Sequence, residues 1–95
     1  VRTMSYRIEF ANGARKDFEY WKKYGTKKEL NKILTLLNEI SVNPRSGTGK
    51  VEQLKGDRSG QWSRRINSKD RIVYEIYDDV IKVLVLSLKG HYGDK

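Results

Sequence analysis

The chain has no cysteine, only one histidine and one proline, and no long apolar run. Without cysteine there can be no disulfide and no thiolate zinc site, which fits a reducing compartment. Apolar residues make up 37% of the chain. No run approaches the roughly 20 residues of a membrane-spanning helix, so the expected protein is soluble with no membrane partner. No basic segment leads into an apolar signal core, which points to a cytoplasmic location. Repeats, low-complexity segments and linkers are also missing. A length of 95 residues supports a single core, so residues 1–95 are read as one domain. Met4 is taken as the natural start and Val1–Thr3 as a cloning remnant outside the fold argument.

Positive charge is abundant. Twenty Lys and Arg face twelve Asp and Glu, a formal +8. The excess is spread over both halves, which favours a folded basic surface over a disordered arm. Such a field favours nucleic acid, a ribosome, an acidic protein or an anionic membrane as partner.

Periodicity divides the chain into elements. Tyr6, Ile8 and Phe10 alternate with charged residues, the pattern of a strand with one buried face, and Asn12-Gly13 breaks it. Ala14, Phe18 and Trp21 follow helical spacing up to Gly25. Thr26 and Glu29 form a capping box that opens a second helix, with Leu30, Ile33, Leu34, Leu37 and Ile40 as its apolar stripe. Asn43-Pro44 stops that helix, and the short turn between the two predicts an antiparallel hairpin. Val51–Leu54, Gln61–Ile66 and Arg71–Tyr77 read as strands, the first a short edge strand. Ile81–Leu88, apolar at nearly every position, is expected to be a central strand covered on both faces. The fold class is α+β: an antiparallel twisted sheet with an N-terminal strand, a two-helix hairpin on one face and three to four C-terminal strands.

Strand parity sorts the side chains. Ile72, Tyr74 and Ile76 are assigned to the core, which sends Arg71, Val73, Glu75 and Tyr77 to the opposite face. Arg65 shares that face, whereas parity turns Arg64 inward. Glu52 must reach over from its loop or edge, and His91 follows the last strand. Taken singly, these are ordinary surface residues. Together they are sufficient for RNA cleavage without a metal or cofactor: a carboxylate takes a proton, an imidazolium returns one, and two guanidiniums hold the phosphate.

Order and spacing add a resemblance. The runs Gly49-Lys50-Val51-Glu52-Gln53-Leu54-Lys55, Ser59-Gly60-Gln61-Trp62-Ser63-Arg64-Arg65-Ile66 and Arg71-Ile72-Val73-Tyr74, with the His91-Tyr92 ending, closely resemble the YoeB/Txe toxins. These belong to the RelE superfamily of type II toxin–antitoxin systems. The resemblance runs from about Tyr6 to Tyr92 and includes Phe18-Glu19-Tyr20-Trp21. It implies a RelE-like, microbial-ribonuclease-like fold that cleaves mRNA in the ribosomal A site. The family's catalytic set falls on Glu52 as base, His91 as acid, Arg65 and Arg71 on the phosphate, and Tyr92 beside the acid. Lys55 is its auxiliary basic residue, and Lys50 and Arg64 join it as expected substrate-binding residues. Implied partners are an acidic, partly disordered antitoxin, the 70S ribosome with mRNA, a second copy of the chain, and operator DNA only through the toxin–antitoxin complex. Val51 and Gln53 stand where relatives often carry proline, and Gly93-Asp94-Lys95 extends past the usual end. The competing expectations are a non-catalytic RNA- or DNA-binding module and a toxin–antitoxin repressor subunit.

Overall fold

The computed structural model describes residues 5–90. Strand β1 (Arg7–Phe10) leads into helices α1 (Asn12–Tyr24) and α2 (Lys27–Val42), followed by β2 (Glu52–Gln53), β3 (Gln61–Arg65), β4 (Arg71–Tyr77) and β5 (Lys82–Ser87). The strands form one sheet in the order β1-β5-β4-β3-β2. Neighbours pair antiparallel except β1 and β5, which run parallel, so the sheet is mixed. Side-chain alternation is the same for either strand direction, so the β1 pattern could not disclose this.

The helices form as their spacing predicts. Helix α1 starts at Asn12, directly after the strand, with no side chain capping its first turn. Gly25 ends it with φ −73°, so close approach and not backbone freedom requires glycine there. A Cβ on Gly25 would lie 2.7 Å from both the Trp21 ring and the Trp21 carbonyl. Helix α2 opens on the predicted capping box, Thr26 accepting from the Glu29 N–H while Glu29 accepts from the Thr26 N–H.

The hairpin covers one face of the sheet. Ala14, Trp21, Ile33, Leu36 and Ile40 from the helices meet Ile66, Ile72, Tyr74, Val83, Val85 and Leu88. The Trp21 indole N–H donates to the Leu88 carbonyl at 2.8 Å, which satisfies its one polar atom inside the core. Leu34, expected in the α2 stripe, is exposed and Leu36 takes the fully buried place. The two lie on opposite flanks of the stripe, and helix rotation chose the other flank. Strand β5 is internal, but only its helix-facing Val83 and Val85 are buried, while Leu84 and Leu86 stay half-covered. The expectation of a strand covered on both faces is corrected to one covered face.

A bulge interrupts the β4–β5 ladder. Val73 pairs with Ser87 and Tyr74 with Val85, which leaves Leu86 as the extra residue. Beyond it the end of β5 stays beside the start of β4, where the Arg71 N–H donates to the Gly90 carbonyl at 3.2 Å.

Candidate active site

The face of the sheet away from the helices carries the candidate residues. Arg65 and Arg71 are direct partners across β3 and β4. One row along, Glu52 pairs with Ser63 across β2 and β3, and Ser63 pairs with Val73 across β3 and β4. Directly paired residues point to the same side, so Glu52, Ser63, Val73, Arg65 and Arg71 form one patch. Glu52 therefore stands on the shared face from the edge strand and need not reach over it. Its diagonal separation from Arg65 is roughly 7–8 Å between backbones, within the span of long side chains.

Lys50, Val51, Glu52, Arg65 and Arg71 line a cleft of about 270 Å³. Arg71 is buried at its base, while Arg65, Glu52 and Lys50 are exposed around it. Lys50 takes a left-handed backbone with φ 53°. A side chain in that region costs on the order of 1 kcal/mol, and here the strain turns a cation toward the cleft. Lys55 lies apart, on a neighbouring hollow shared with Glu52, Gln53 and Leu54. His91 and Tyr92 lie outside the described residues. A larger hollow of about 500 Å³ sits between α2 and the β3–β4 turn, on the far side from the Glu52–arginine group. Its one carboxylate, Glu29, is already bonded to Thr26 and Asn67.

Two like charges directly opposite in a sheet repel. Arg65 and Arg71 nevertheless occupy that arrangement, and an anion between or above them would relieve the repulsion. The Arg65 guanidinium has no protein partner among the described residues. Together the pair can clamp a tetrahedral oxyanion, with Glu52 close enough to accept a proton from a neighbouring hydroxyl. Sequence reasoning missed Ser63, which is fully buried at the centre of the patch. Its hydroxyl has no hydrogen-bond partner among the described residues, an arrangement costing about 1–3 kcal/mol. Only its parity with Arg65 could have singled it out.

Arg64 does not belong to the cleft, contrary to its expected substrate-binding role. Its side chain is fully buried on the helix side of β3. Nε donates to the Tyr74 hydroxyl at 3.2 Å, one terminal nitrogen donates to Glu39 at 3.0 Å and to the Thr48 carbonyl at 3.4 Å, and the other donates to the Asn43 and Ser46 carbonyls at 2.8 Å each. Those bonds use all five donors of a guanidinium, leaving none for a substrate. The Tyr74 hydroxyl passes the chain on to the Pro44 carbonyl at 2.6 Å, and burial pushes that phenol above its ordinary pKa. The Thr48 N–H and hydroxyl both donate to Glu39 as well. With the Arg64 guanidinium beside them, they hold the Glu39 carboxyl below the usual range against the opposing effect of burial. Arg64 thus ties down the segment 43–48 that delivers Lys50 and Glu52. Gly49 completes the approach: its carbonyl accepts from the Arg65 N–H at 2.6 Å, and a Cβ there would crowd Leu36 and the Arg65 carbonyl.

Comparison with known proteins matches residues 10–92 to the family described as the YoeB-like toxin of bacterial type II toxin-antitoxin system. Toxin RelK of Mycobacterium tuberculosis is 40% identical over 85 residues, which span 90% of this chain and 96% of RelK. The YoeB dimer from Staphylococcus aureus superposes with a TM-score of 0.81 at 37% identity, covering 93% of this chain and 99% of that one. The YoeB-YefM complex from the same organism gives a TM-score of 0.78 at 38% identity, covering 92% and 98%. The chain belongs to the YoeB-like family of toxins of bacterial type II toxin–antitoxin systems.

Proposed function

We propose that this toxin is a ribosome-dependent endoribonuclease that cleaves mRNA in the ribosomal A site and so stops translation. The observation that carries the reading is the Arg65–Arg71 pair with Glu52 one row away on the same open face. RNA supplies its own nucleophile. Glu52 takes the proton of the 2′-hydroxyl, and the freed oxygen attacks the adjacent phosphorus. Arg65 and Arg71 hold the added negative charge, as donors fixed in advance at the place where charge develops. As the bond from phosphorus to the 5′-oxygen breaks, the His91 imidazolium gives that oxygen a proton. The products are a 2′,3′-cyclic phosphate and a 5′-hydroxyl, and every group in the balance belongs to the chain or the RNA. Tyr92 stands next to the acid in sequence, and Lys50 and Lys55 add positive charge on either side of Glu52. Gly90, the last described residue, accepts from the Arg71 N–H beside the cleft.

The partners follow from the same reading. The neighbouring structure of a YoeB-YefM complex supports a cognate antitoxin, and that of a YoeB dimer supports self-association. Operator DNA is engaged only through the antitoxin complex, and the setting is the cytoplasm, where ribosomes translate. Among the described residues no helix is long and apolar enough to cross a membrane.

The deciding experiment is single-turnover cleavage on programmed ribosomes. Glu52→Gln and His91→Ala should each slow cleavage by roughly 10²–10⁴-fold with ribosome affinity nearly intact. Cleavage by Glu52→Gln at the parental rate would refute the assignment. Affinity lost in proportion to rate would instead mark a non-catalytic binding surface.

A further inference from the structure

Helix α1 carries two stripes, and the core uses only one. Ala14, Phe18 and Trp21 face the sheet, whereas Lys16, Tyr20, Lys23 and Tyr24 recur at i, i+4, i+7 and i+8 along a separate flank. Tyr20 and Tyr24 are 41% and 66% exposed, high values for rings that a core could have buried. Their centroids lie 5.2 Å apart with the planes tilted by 46°. Lys89, from the segment after β5, holds its ammonium 4.2 Å from the Tyr20 centroid, and Lys23 lies 5.7 Å from that of Tyr24. The carboxylates of α1 are engaged elsewhere. Asp17 accepts from the Leu88 N–H at 2.9 Å, and Glu19 pairs with Lys22 at 3.1 Å.

We propose that Tyr20, Tyr24, Lys89 and Lys23 form a stacking track for single-stranded RNA that continues out of the cleft. Bases stack on exposed aromatic rings whatever their sequence, and flanking lysines meet the phosphates between them. Continuity with the cleft gives the track its direction. Lys89 precedes Gly90, whose carbonyl accepts from the N–H of the cleft residue Arg71. A strand held by Arg65 and Arg71 on the open face rounds the sheet at the start of β4, meeting Lys89 first and then Tyr20 and Tyr24 on the helix side. Two tilted rings can receive successive bases, and lysines on the same flank supply charge where a protein-binding aromatic patch would carry apolar neighbours. The inference rests on RNA as the substrate class of the proposed function, though not on the cleavage step.

The test uses a single-stranded RNA of roughly 12 nucleotides with every 2′-hydroxyl methylated, which can bind but cannot be cleaved. Tyr20→Ala and Tyr24→Ala should each weaken binding about tenfold, while Tyr20→Phe and Tyr24→Phe keep the parental affinity because the stacking face remains. Lys89→Gln should lower the slope of log affinity against log salt by about 0.7, and the tyrosine variants should leave that slope unchanged. Both tyrosines are exposed, so unfolding temperatures should match the parent and separate a binding loss from a folding loss. Parental RNA affinity in both alanine variants would overturn the track. So would unchanged RNA affinity together with loss of self-association, which would assign the surface to a second copy of the chain. Because the probe cannot be cut, failure here is independent of the Glu52→Gln result on cleavage.

Discussion

Arg64 and Arg65 are consecutive on β3, yet one is fully buried and the other exposed. Arg64 spends its five donors on Glu39, Tyr74 and three loop carbonyls. Arg65 stands opposite a second cation, Arg71, on the other face of the sheet. Residue type is identical and surroundings decide everything. A buried guanidinium with every donor bonded fixes backbone, while one facing a like charge waits for an anion. The same strand therefore holds the loop that carries Glu52 with one arginine and presents the proposed phosphate clamp with the next.

Breaking the buried side should give the largest effect. Arg64→Ala strips Glu39 of its buried cation and frees the Asn43, Ser46 and Thr48 carbonyls together. Loss of one partner from such a network costs about 3–5 kcal/mol. In a domain of this size that lowers the unfolding temperature by at least about 12 °C. Thermal unfolding followed by circular dichroism measures it directly. A drop of under about 4 °C would mean that water replaces the guanidinium at little cost and that the loop is not held by it.

Arg65→Ala should reverse the profile. Removing one of two opposed cations leaves stability within about 0.5 kcal/mol of the parent, or slightly above it. Single-turnover cleavage on programmed ribosomes should nevertheless fall by roughly 10²–10³-fold, because the charge that Arg65 meets is largest in the transition state. If Arg65→Ala destabilised the protein as much as Arg64→Ala, the two residues would share a structural role and the comparison would fail.

Much of this contrast was legible in the sequence, since a period of two assigns faces without knowing the fold. It put Ile72 and Tyr74 in the core, Arg65 and Arg71 together, and Arg64 inward against its expected role as a substrate contact. The alternation could not show what Arg64 meets inside, because Glu39 is 25 residues away and the loop carbonyls have no sequence signature. Strand direction was equally hidden, so the parallel β1–β5 pairing emerged only in three dimensions. The short edge strand around Glu52 was legible, but two residues leave almost no pattern to assign its face, and its row with Ser63 depends on the β2–β3 register. On α2, Leu34 and Leu36 are equally apolar, and only packing against the sheet separates them. His91 and Tyr92 rest on the resemblance alone, being outside the described residues.

The smallest effect sharpens the buried half of the comparison through pH. Glu39 titrates below its ordinary value near 4.5, chiefly because the Thr48 N–H donates to it, with the Thr48 hydroxyl and Arg64 adding to this. A carboxylate with a depressed folded pKa contributes stability above its unfolded pKa and loses it as pH falls through the folded value. Glu39→Gln should therefore be less stable than the parent at pH 7, with the gap closing as the pH drops below about 4.5. Glu9 and Asp78 are also depressed, by Arg7 and by Arg45 respectively, but they are common to both proteins and cancel in the difference. Urea unfolding of both proteins from pH 7 to pH 3 gives the comparison directly. The Glu39 side chain is 29% exposed, so solvent screening keeps the change modest beside that of Arg64→Ala. A gap of constant size down to pH 3 would show that Glu39 holds the loop by shape and hydrogen bonding alone, with its charge contributing nothing to the buried arginine.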